Sequence, residues 1–435
     1  MFTILWQKPG PKDISTICFT SGTTGVPKGV ILTHGNMIAT TVMFFHVKRF
    51  AMVPSQVLLS FLPLAHMYER ICENAAIAIG CRIGYYSGDV RNLLDDMQAL
   101  RPTVVAMVPR VLDRIYDRQL ITVSEQTFLR QYFCNETLAD KLVFQKIRQK
   151  FGGNLLLIFT GAAPVSQEVL QFSRVVLGCS IVEGYGQTEC VAACTATVEA
   201  DFTAGHVGTP MLNTAVKLVD ASEIGYFAKN NAGEICVRGP SVFKGYYKDE
   251  AATREALDGS GWLHTGDIGS WNKNGTLKII DRKKFIFKLQ QGEYIAPEKI
   301  ENIFIRSQYV TQAFVYGESL KCSLIAIVVP DDQVWLDCGL KFMLRKLAAE
   351  SFSMNNASLS DICSNVNIKR HVMNDMNSIG RRNGLFSFEC VKDIYLTVEP
   401  FTVENGLLTP TFKNRRNNFK KQYSSVIADM YSKLK

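Results

Sequence analysis

The sequence lacks the features by which membrane-spanning and secreted chains are recognised. Its uncharged apolar stretches, such as 74–81 and 102–109, fall far short of the roughly 20 residues that cross a bilayer. The first six residues have no basic start and no small-residue cleavage site, so they do not resemble a secretory signal. We therefore expect a chain on the cytoplasmic side, with no membrane anchor of its own.

Closely spaced metal-binding residues are also missing. The twelve cysteines contain no Cys-x-x-Cys pair, Cys190 and Cys194 are too isolated to build a zinc site, and the six histidines show no ligand spacing. These patterns exclude a disulfide framework and a structural zinc site, and they indicate free thiols.

Charge is modest and uneven. The chain has 435 residues, of which 47% are hydrophobic and 20% charged, and its net charge is +8. Residues 283–435 carry 21 lysines and arginines against 15 acidic residues. These basic residues lack interleaved aromatics and a recognition motif, so we expect no nucleic-acid partner and instead a site for phosphate-bearing small molecules.

Helices and apolar strands alternate through the first half of the chain. Helices are predicted at 90–100, 136–151 and 166–177, and buried strands at 103–108, 155–159 and 180–183. This alternation predicts a mostly parallel sheet with helices on both faces, which binds ligands at the carboxyl ends of its strands. The glycine-rich segments 160–164 and 184–189 follow two of those strand ends.

A different pattern begins after residue 205. Short β-branched segments predict antiparallel strands, and Asn274-Gly275 predicts a hairpin between 268–271 and 276–280. Helix, strand and helix follow, predicted at 296–306, at 311–329 and from 341. We therefore predict an α/β large domain over 1–282, with parallel sheets and a distorted antiparallel β region, and a small α+β C-terminal lid domain over 283–435.

The segment from Thr20 to Gly29 is a candidate phosphate-binding loop. It reads Thr-Ser-Gly-Thr-Thr-Gly-Val-Pro-Lys-Gly and follows the apolar stretch 14–19. Backbone N–H groups, hydroxyls and Lys28 can together surround phosphate oxygens. The segment does not fit the Walker A pattern, which argues against a P-loop NTPase. A flexible surface turn rich in Ser, Thr and Gly remains the alternative.

The same segment resembles the signature of the adenylate-forming superfamily of acyl-CoA synthetases, adenylation domains and luciferases. Further matching motifs occur in that family's order, at 160–164, 185–189, 262–267, 281–282 and 406–413. The amino-acid sequences of segments 63–70 and 287–302 are similar to those of eukaryotic long-chain fatty acyl-CoA synthetases. This similarity disfavours an aryl-CoA ligase.

The resemblance implies ATP-dependent activation of a long-chain fatty acid to acyl-CoA through an acyl-adenylate, with Mg²⁺ as cofactor and ATP and CoA as co-substrates. Lys413, Thr188 and Glu189 would be catalytic, Glu189 and Thr23 would hold Mg²⁺, and Lys284 would be the hinge. Tyr185 would stack on adenine, Asp267 would bind the ribose, and His66 would line the cleft. The ATP-binding residues implied are Thr20, Ser21, Gly22, Thr23, Thr24, Gly25, Lys28, Gly161, Ala162, Glu183, Gly184, Tyr185, Gly186, Gln187, Thr188, Asp267 and Arg282.

Taken singly, these residues also fit structural roles. Tyr185 could be a core aromatic, Asp267 a turn cap, Glu189 a solvated residue at a helix start, and Lys413 one charge of a basic tail. Their joint order and spacing favour the functional interpretation.

The chain departs from the family in two ways. Its phosphate loop lies at residue 20, whereas family members carry a substantial further stretch before it, and the segment 118–152 is shorter. We therefore expect a truncated large domain that is poorly soluble alone, because missing strands leave an apolar edge exposed. A catalytically impaired product that binds nucleotide or fatty acid, or regulates a partner, is the alternative function. The resemblance also allows membrane association, at the endoplasmic reticulum or the mitochondrial outer membrane.

Overall fold

The computed structural model describes most of the chain. The residues described are 8–20, 27–46, 53–109, 111–112, 115–116, 144–163, 165–198, 201–291, 293–318, 320–331, 343–354, 357–409 and 413–434. Among these residues, none of the helices combines the length and apolar character that crossing a bilayer requires. Residues 136–143, which begin one predicted helix, lie outside them.

The chain begins with an antiparallel strand pair. Strand β1 (Ile14–Phe19) pairs with β2 (Gly29–Thr33), with Phe19 opposite Gly29, and helix α1 (His34–His46) follows directly. The candidate phosphate loop is therefore the connection of a hairpin, and both of its ends are held by strand pairing.

A seven-stranded sheet forms the centre of the large region. Its order is β4-β3-β5-β6-β7-β8-β9, with the first five strands parallel and the last two antiparallel. The strands are β3 (Val57–Ser60), β4 (Arg82–Tyr85), β5 (Val104–Met107), β6 (Leu157–Gly161), β7 (Ser180–Tyr185), β8 (Thr195–Ala196) and β9 (Thr209–Pro210). This confirms the mostly parallel sheet that the alternating pattern predicted.

Helices accompany this sheet and its faces are both buried. They are α2 (Met67–Ile79), α3 (Leu93–Leu100), α4 (Gln145–Lys150) and α5 (Gln167–Leu177). Alternate residues of one strand enter different hydrophobic clusters, because successive side chains of a strand point to opposite faces. Leu58, Val104, Phe159 and Val182 belong to one cluster, and Leu59, Val105, Ile158 and Ile181 to the other. Burial on both faces explains why these strands are continuously apolar.

A four-stranded antiparallel sheet follows, in the order β10-β11-β13-β14. The elements of this region are β10 (Ala215–Val219), β11 (Ala232–Arg238), β12 (Gly245–Tyr246), α6 (Glu250–Ala256), β13 (Leu263–Trp271) and β14 (Leu277–Arg282). The predicted hairpin is confirmed: Gly275 has a φ of 79° in the turn between β13 and β14. Strand β12 does not belong to this sheet. It pairs with β2 and so joins the antiparallel region to the phosphate-loop hairpin.

The C-terminal part is a smaller α+β unit. Its elements are β15 (Phe287–Lys288), β16 (Tyr294–Ile295), α7 (Pro297–Phe304), β17 (Val310–Tyr316), β18 (Leu324–Pro330), α8 (Met343–Phe352), α9 (Leu359–Ser364), α10 (Val366–Arg382), β19 (Val391–Leu396), α11 (Arg416–Gln422) and α12 (Ser424–Lys433). The single strand predicted over 311–329 is wrong, since two antiparallel strands with a turn between them occupy this stretch. The polar segment 317–323 between the strands, which contains Gly, Glu, Ser and Lys, is the turn signal that the prediction overlooked.

The two regions meet near the predicted boundary at residue 282. One large hydrophobic cluster draws its buried members from residues 289–396 alone. A smaller cluster crosses the boundary and contains Ala221 and Ile268 together with Ile286 and Ala296. The division into domains at 282 and 283 therefore stays a prediction, on which the role of Lys284 as a hinge depends.

Candidate active site

A cavity of about 1210 Å³ opens where the parallel strands end. Its walls come from the phosphate-loop hairpin, the ends of β6 and β7, strands β13 and β14, and a segment near the C-terminus. The predicted site residues on these walls are Thr20, Lys28, Gly161, Ala162, Gly184, Gly186, Gln187, Thr188, Glu189, Asp267, Arg282, Lys284 and Lys413. The fold thus gathers into one cavity residues that are up to about 390 positions apart in the sequence.

The candidate phosphate loop is closed at its base. The backbone N–H of Thr20 donates a 2.9 Å hydrogen bond to the carbonyl of Lys28. Both residues line the cavity, so the connection between them begins and ends at its wall. Ser21, Gly22, Thr23, Thr24 and Gly25 lie outside the described residues.

Glycines allow the backbones of β6 and β7 to approach each other at the cavity wall. A Cβ atom at Gly161 would lie 2.7 Å from the carbonyl oxygen of Gly184, which is closer than real Cβ contacts. The next residue, Ala162, has a φ of 69°, so the chain turns sharply away from the strand. Such strand ends present backbone groups, and not side chains, to a ligand.

The carboxylate of Glu189 is buried at the cavity wall and oriented by a tyrosine. The hydroxyl of Tyr246 donates a 2.7 Å hydrogen bond to its Oε1 atom. Burial raises the pKa of Glu189, while the bond from Tyr246 opposes that shift. Burial and the nearby carboxylate also raise the pKa of Tyr246. Sequence reasoning missed Tyr246, because its segment belongs to none of the recognised motifs.

Asp267 is the centre of a second polar group. Its Oδ1 atom lies 3.6 Å from Nε of Arg282, and its Oδ2 atom accepts a 2.7 Å hydrogen bond from the hydroxyl of Tyr185. The amide of Gln187 also reaches Oδ2, at 3.5 Å. Burial raises the pKa of Asp267, and the guanidinium of Arg282 acts against this.

Lys413 is held at the cavity by a short backbone closure. The N–H of Thr409 donates to the carbonyl of Lys413 at 2.9 Å, and the N–H of Lys413 donates to Oγ1 of Thr409 at 3.1 Å. Burial and the neighbouring charge of Arg282 both lower the pKa of Lys413. Lys413 in turn helps, after burial, to lower the pKa of His66, which lines the same cavity.

Two predicted ATP-binding residues do not contribute to the cavity wall. Tyr185 extends towards Asp267, as described above. Glu183 lies inside the sheet, where burial raises its pKa to about 8 and Arg174 opposes that shift. Because side chains alternate along a strand, Glu183 and Gly184 point to opposite faces of β7, and only Gly184 reaches the wall.

The segment that contains the predicted hinge is anchored by an ion pair. Lys284 lines the cavity, and Nζ of the preceding Lys283 lies 2.7 Å from Oε1 of Glu223 and 3.1 Å from Oε2 of Glu234. Lys283 therefore ties the residues after β14 to strand β11 and to the turn at Glu223.

An apolar region of the same cavity adjoins these polar groups. Helix α2 contributes Met67, Ile71 and Cys72, and the sheet contributes Val182. The hydroxyl of Tyr68, on the same helix, donates a 2.7 Å hydrogen bond to the carbonyl of Phe159 and fixes α2 against β6. The cavity can therefore hold a ligand with one charged and one apolar part.

The described residues contain no cluster of three or more His, Cys, Asp or Glu side chains that could hold a metal ion. The cavity does offer hard oxygen donors, namely the carboxylate of Glu189 and the hydroxyl of Thr188. Magnesium is commonly held by one or two carboxylates together with substrate phosphates and waters. The residues present fit Mg²⁺ that arrives with a nucleotide.

Comparison with solved structures shows which fold this is. The A domain of carboxylic acid reductase from Segniliparus rugosus, solved in complex with AMP and a co-purified carboxylic acid, superposes with a TM-score of 0.76 at 25% identity, covering 98% of this chain and 62% of that one. The adenylation domain of a carboxylate reductase from Mycobacterium chelonae gives the same TM-score at 28% identity, covering 97% and 60%. The chain has the fold of these adenylation domains, with a large α/β region, as predicted from the sequence.

Curated relatives are more similar in sequence. Long-chain-fatty-acid CoA ligase 1 of Cavia porcellus is 49% identical over 99% of this chain, and ligase 6 of Mus musculus is 48% identical over 97%. The chain spans about 62% of the length of these relatives. The family described as AMP-binding enzyme matches residues 5–247, more than half of the chain. The chain therefore belongs to the AMP-binding enzyme family.

Proposed function

We propose that the chain activates long-chain fatty acids to acyl-CoA with ATP. In the first step, a carboxylate oxygen of the fatty acid attacks the α-phosphorus of ATP, and pyrophosphate leaves with the bonding electrons. In the second step, the sulfur of CoA attacks the acyl carbonyl carbon, AMP leaves, and the thiol proton is released. The names of the curated relatives, long-chain-fatty-acid CoA ligases, support this substrate class.

One observation carries the proposal. A single cavity joins the ammonium of Lys413 and the polar group around Asp267 to an apolar wall from helix α2. A fatty acid and a nucleotide that react with each other need such a junction, with a positive charge where negative charge develops. A nucleotide-binding site without an acylating function would not require the apolar wall.

The roles proposed for individual residues follow from their positions. The backbone at Gly161, Ala162 and Gly184 would face the nucleotide, Asp267 the ribose, and Thr188 the α-phosphate. Lys413 would contact the fatty acid carboxylate and the α-phosphate. The loop between Thr20 and Lys28 would surround the β- and γ-phosphates.

We propose Mg²⁺ as the cofactor, held by Glu189 and, in the phosphate loop, by Thr23. When bound, the ion would neutralise charge on the phosphates of ATP. Lys284 would be the hinge about which the C-terminal domain changes position between the two steps. The family resemblance further supports a location at the cytoplasmic side of the endoplasmic reticulum or mitochondrial outer membrane, which fractionation of cells expressing the chain would test.

A stoichiometric assay tests the proposed function. Because we expect the 435-residue chain to be poorly soluble alone, it would be purified with a solubility tag and incubated with radiolabelled palmitate, ATP, Mg²⁺ and CoA. We expect palmitoyl-CoA, AMP and pyrophosphate in equal amounts. Lys413→Ala should lose this product, whereas Lys421→Ala, which removes an exposed lysine of α11, should keep it. A monodisperse chain that binds ATP but forms neither adenylate nor acyl-CoA would refute the ligase and favour the non-catalytic binding alternative.

A further inference from the structure

Tyr246 lies at the point where three parts of the cavity wall meet. Its strand, β12, pairs with β2 of the phosphate-loop hairpin, with Tyr246 opposite Val30. Its backbone N–H donates a 2.9 Å hydrogen bond to Oγ1 of Thr253 on helix α6. Tyr246 itself lines the cavity. Backbone contacts to β2 and to α6 therefore fix the position of Tyr246.

The segment around Tyr246 holds Glu189 by its backbone and by its side chain. The N–H of Phe243 donates a 2.8 Å hydrogen bond to the carbonyl of Glu189, and the hydroxyl of Tyr246 donates one of 2.7 Å to its Oε1 atom. The rings of Phe243 and Tyr246 pack edge to face, with centroids 4.9 Å apart. The first bond fixes the backbone of Glu189, and the second orients its carboxylate.

The same ring supports the end of the phosphate loop. Nζ of Lys28 lies over the ring of Tyr246, 4.9 Å from its centroid, within the range of a cation–π contact. The next residue, Tyr247, donates its N–H to the carbonyl of Gly29 at 2.7 Å. Tyr246 thus contacts Glu189 through its hydroxyl and Lys28 through its ring.

We propose that Tyr246 is a positioning residue. It holds the Glu189 carboxylate and Lys28 at the positions from which both bind one magnesium–nucleotide complex. This inference rests on the proposed function, since it assumes that Glu189 and the phosphate loop serve the same ligand. A carboxylate that ligates a metal depends on the groups that orient it, and loss of such a group typically weakens metal binding by about 10- to 100-fold. The hydroxyl and the ring make separable contributions, because they touch different partners.

Metal affinity is the quantity that tests this proposal. Mn²⁺ would replace Mg²⁺ as a paramagnetic probe, titrated into the chain with a non-hydrolysable ATP analogue and followed by electron paramagnetic resonance. In Tyr246→Phe, which removes the hydroxyl and keeps the ring, we expect Mn²⁺ to bind about 10-fold more weakly. AMP binding without metal, measured by calorimetry, should stay within about 2-fold of the wild type. Tyr246→Leu, which also removes the ring, should further weaken binding of the analogue itself.

A matched variant controls for the loss of a tyrosine hydroxyl. Tyr316 on strand β17 donates its hydroxyl to Oε1 of Glu318, a bond of the same type outside the cavity. Tyr316→Phe should leave Mn²⁺ affinity unchanged.

Two results would overturn the proposal. The first is equal Mn²⁺ affinity in Tyr246→Phe and wild type, and the second is a parallel loss of Mn²⁺ and metal-free AMP binding with a lowered melting temperature, which would mark a structural role. Neither result depends on turnover, so a failure of the ligase assay with intact Mn²⁺–nucleotide binding would count against the proposed function and not against Tyr246.

Discussion

The hydroxyl of Tyr185 donates a 2.7 Å hydrogen bond to Oδ2 of Asp267, across 82 positions of sequence. Arg282 approaches the other carboxylate oxygen at 3.6 Å. Tyr185, for which the family resemblance implied adenine stacking, is thus a hydrogen-bond partner of Asp267, the residue proposed for the ribose. Because hydrogen bonds stabilise a buried carboxylate, a substitution of Tyr185 will change the stability of ionised Asp267.

Tyr185→Phe tests this coupling, since it keeps the aromatic ring and removes the hydroxyl. A hydrogen bond to a charged group contributes about 1.5–3 kcal/mol, part of which the ribose site would lose. We expect AMP to bind roughly 3- to 30-fold more weakly, as measured by calorimetry, at a pH where Asp267 is ionised. The loss should grow at lower pH, because Tyr185 helps to lower the pKa of Asp267 against burial, and the variant takes up a proton there more readily.

Tyr395→Phe provides the control, because Tyr395 is 39% exposed and lies on strand β19, away from the cavity. Its AMP affinity should equal that of the wild type. If Tyr185→Phe bound AMP as tightly as the wild type across the whole pH range, the hydroxyl would have no part in the nucleotide site.

Much of this site could be predicted from the sequence, for a physical reason. The motifs at 160–164 and 185–189 follow the parallel strands β6 and β7, and parallel strands bring their ends to one edge of a sheet. The motif at 281–282 ends the antiparallel strand β14, so this rule does not place it at the cavity. Tyr246 could not be predicted in this way. Its role comes from β12 pairing with β2, a contact across more than 200 positions that no local pattern encodes. The turn between β17 and β18 could have been predicted, because the polar segment 317–323 separates two apolar runs.

Two neighbouring glycines, both predicted to admit the nucleotide, differ in their surroundings. A Cβ atom at Gly186 would lie 2.1 Å from the carbonyl oxygen of Ala192, whereas at Gly184 the nearest atom, the carbonyl oxygen of Thr195, is 3.6 Å away. We expect Gly186→Ala to destabilise the chain by about 1–3 kcal/mol, because backbone must move. Gly184→Ala should change stability by less than about 1 kcal/mol and weaken AMP binding instead, since its methyl group adds to the cavity wall.

Thermal melting and AMP calorimetry on both glycine variants give the comparison. The expected pattern is a lowered melting temperature for Gly186→Ala and a normal one for Gly184→Ala. Equal melting temperatures for the two variants would contradict the packing seen around the loop 185–189.

Lys413 is expected to limit the first half-reaction at alkaline pH. Burial and the charge of Arg282 lower its pKa, so it loses its proton at a lower pH than an ordinary lysine does. The rate of adenylate formation, measured by ATP–pyrophosphate exchange, should therefore decline as the pH rises through that lowered pKa. Lys413→Arg should move the decline to higher pH, because a guanidinium stays protonated.

The two half-reactions should depend on Lys413 to different degrees. Lys413→Ala should slow adenylate formation by about 10²- to 10³-fold, since it removes one preorganised charge. The same variant should still convert supplied acyl-adenylate and CoA to product. Equal losses in both steps would argue against a role confined to adenylation.

A carboxyl group outside the active site offers a separate test of the fold. Glu69 on helix α2 is 0% exposed, and burial, with a smaller effect of the nearby Glu73, raises its pKa from 4.5 to about 7. Glu69 also interacts electrostatically with Cys72, Tyr68 and Tyr85. Since none of these groups supplies a positive charge, ionised Glu69 is unfavourable in the folded chain.

Glu69→Gln should make the chain more stable at high pH. A carboxyl whose pKa is higher in the folded state binds its proton more tightly there, so its contribution to stability is full at low pH and is lost as the pH rises through about 7. The free energy of unfolding of the wild type should thus fall relative to the variant by on the order of 2 kcal/mol between about pH 5 and pH 8. Urea unfolding of both proteins measures that difference. The contributions of other buried carboxyl groups, such as Glu183 and Glu301, are the same in both proteins and cancel.

The exposed Glu399→Gln is the control, and its free energy of unfolding should follow that of the wild type at every pH. If the gap between Glu69→Gln and wild type did not change with pH, Glu69 would be ionised in the folded chain and its burial would not set its charge.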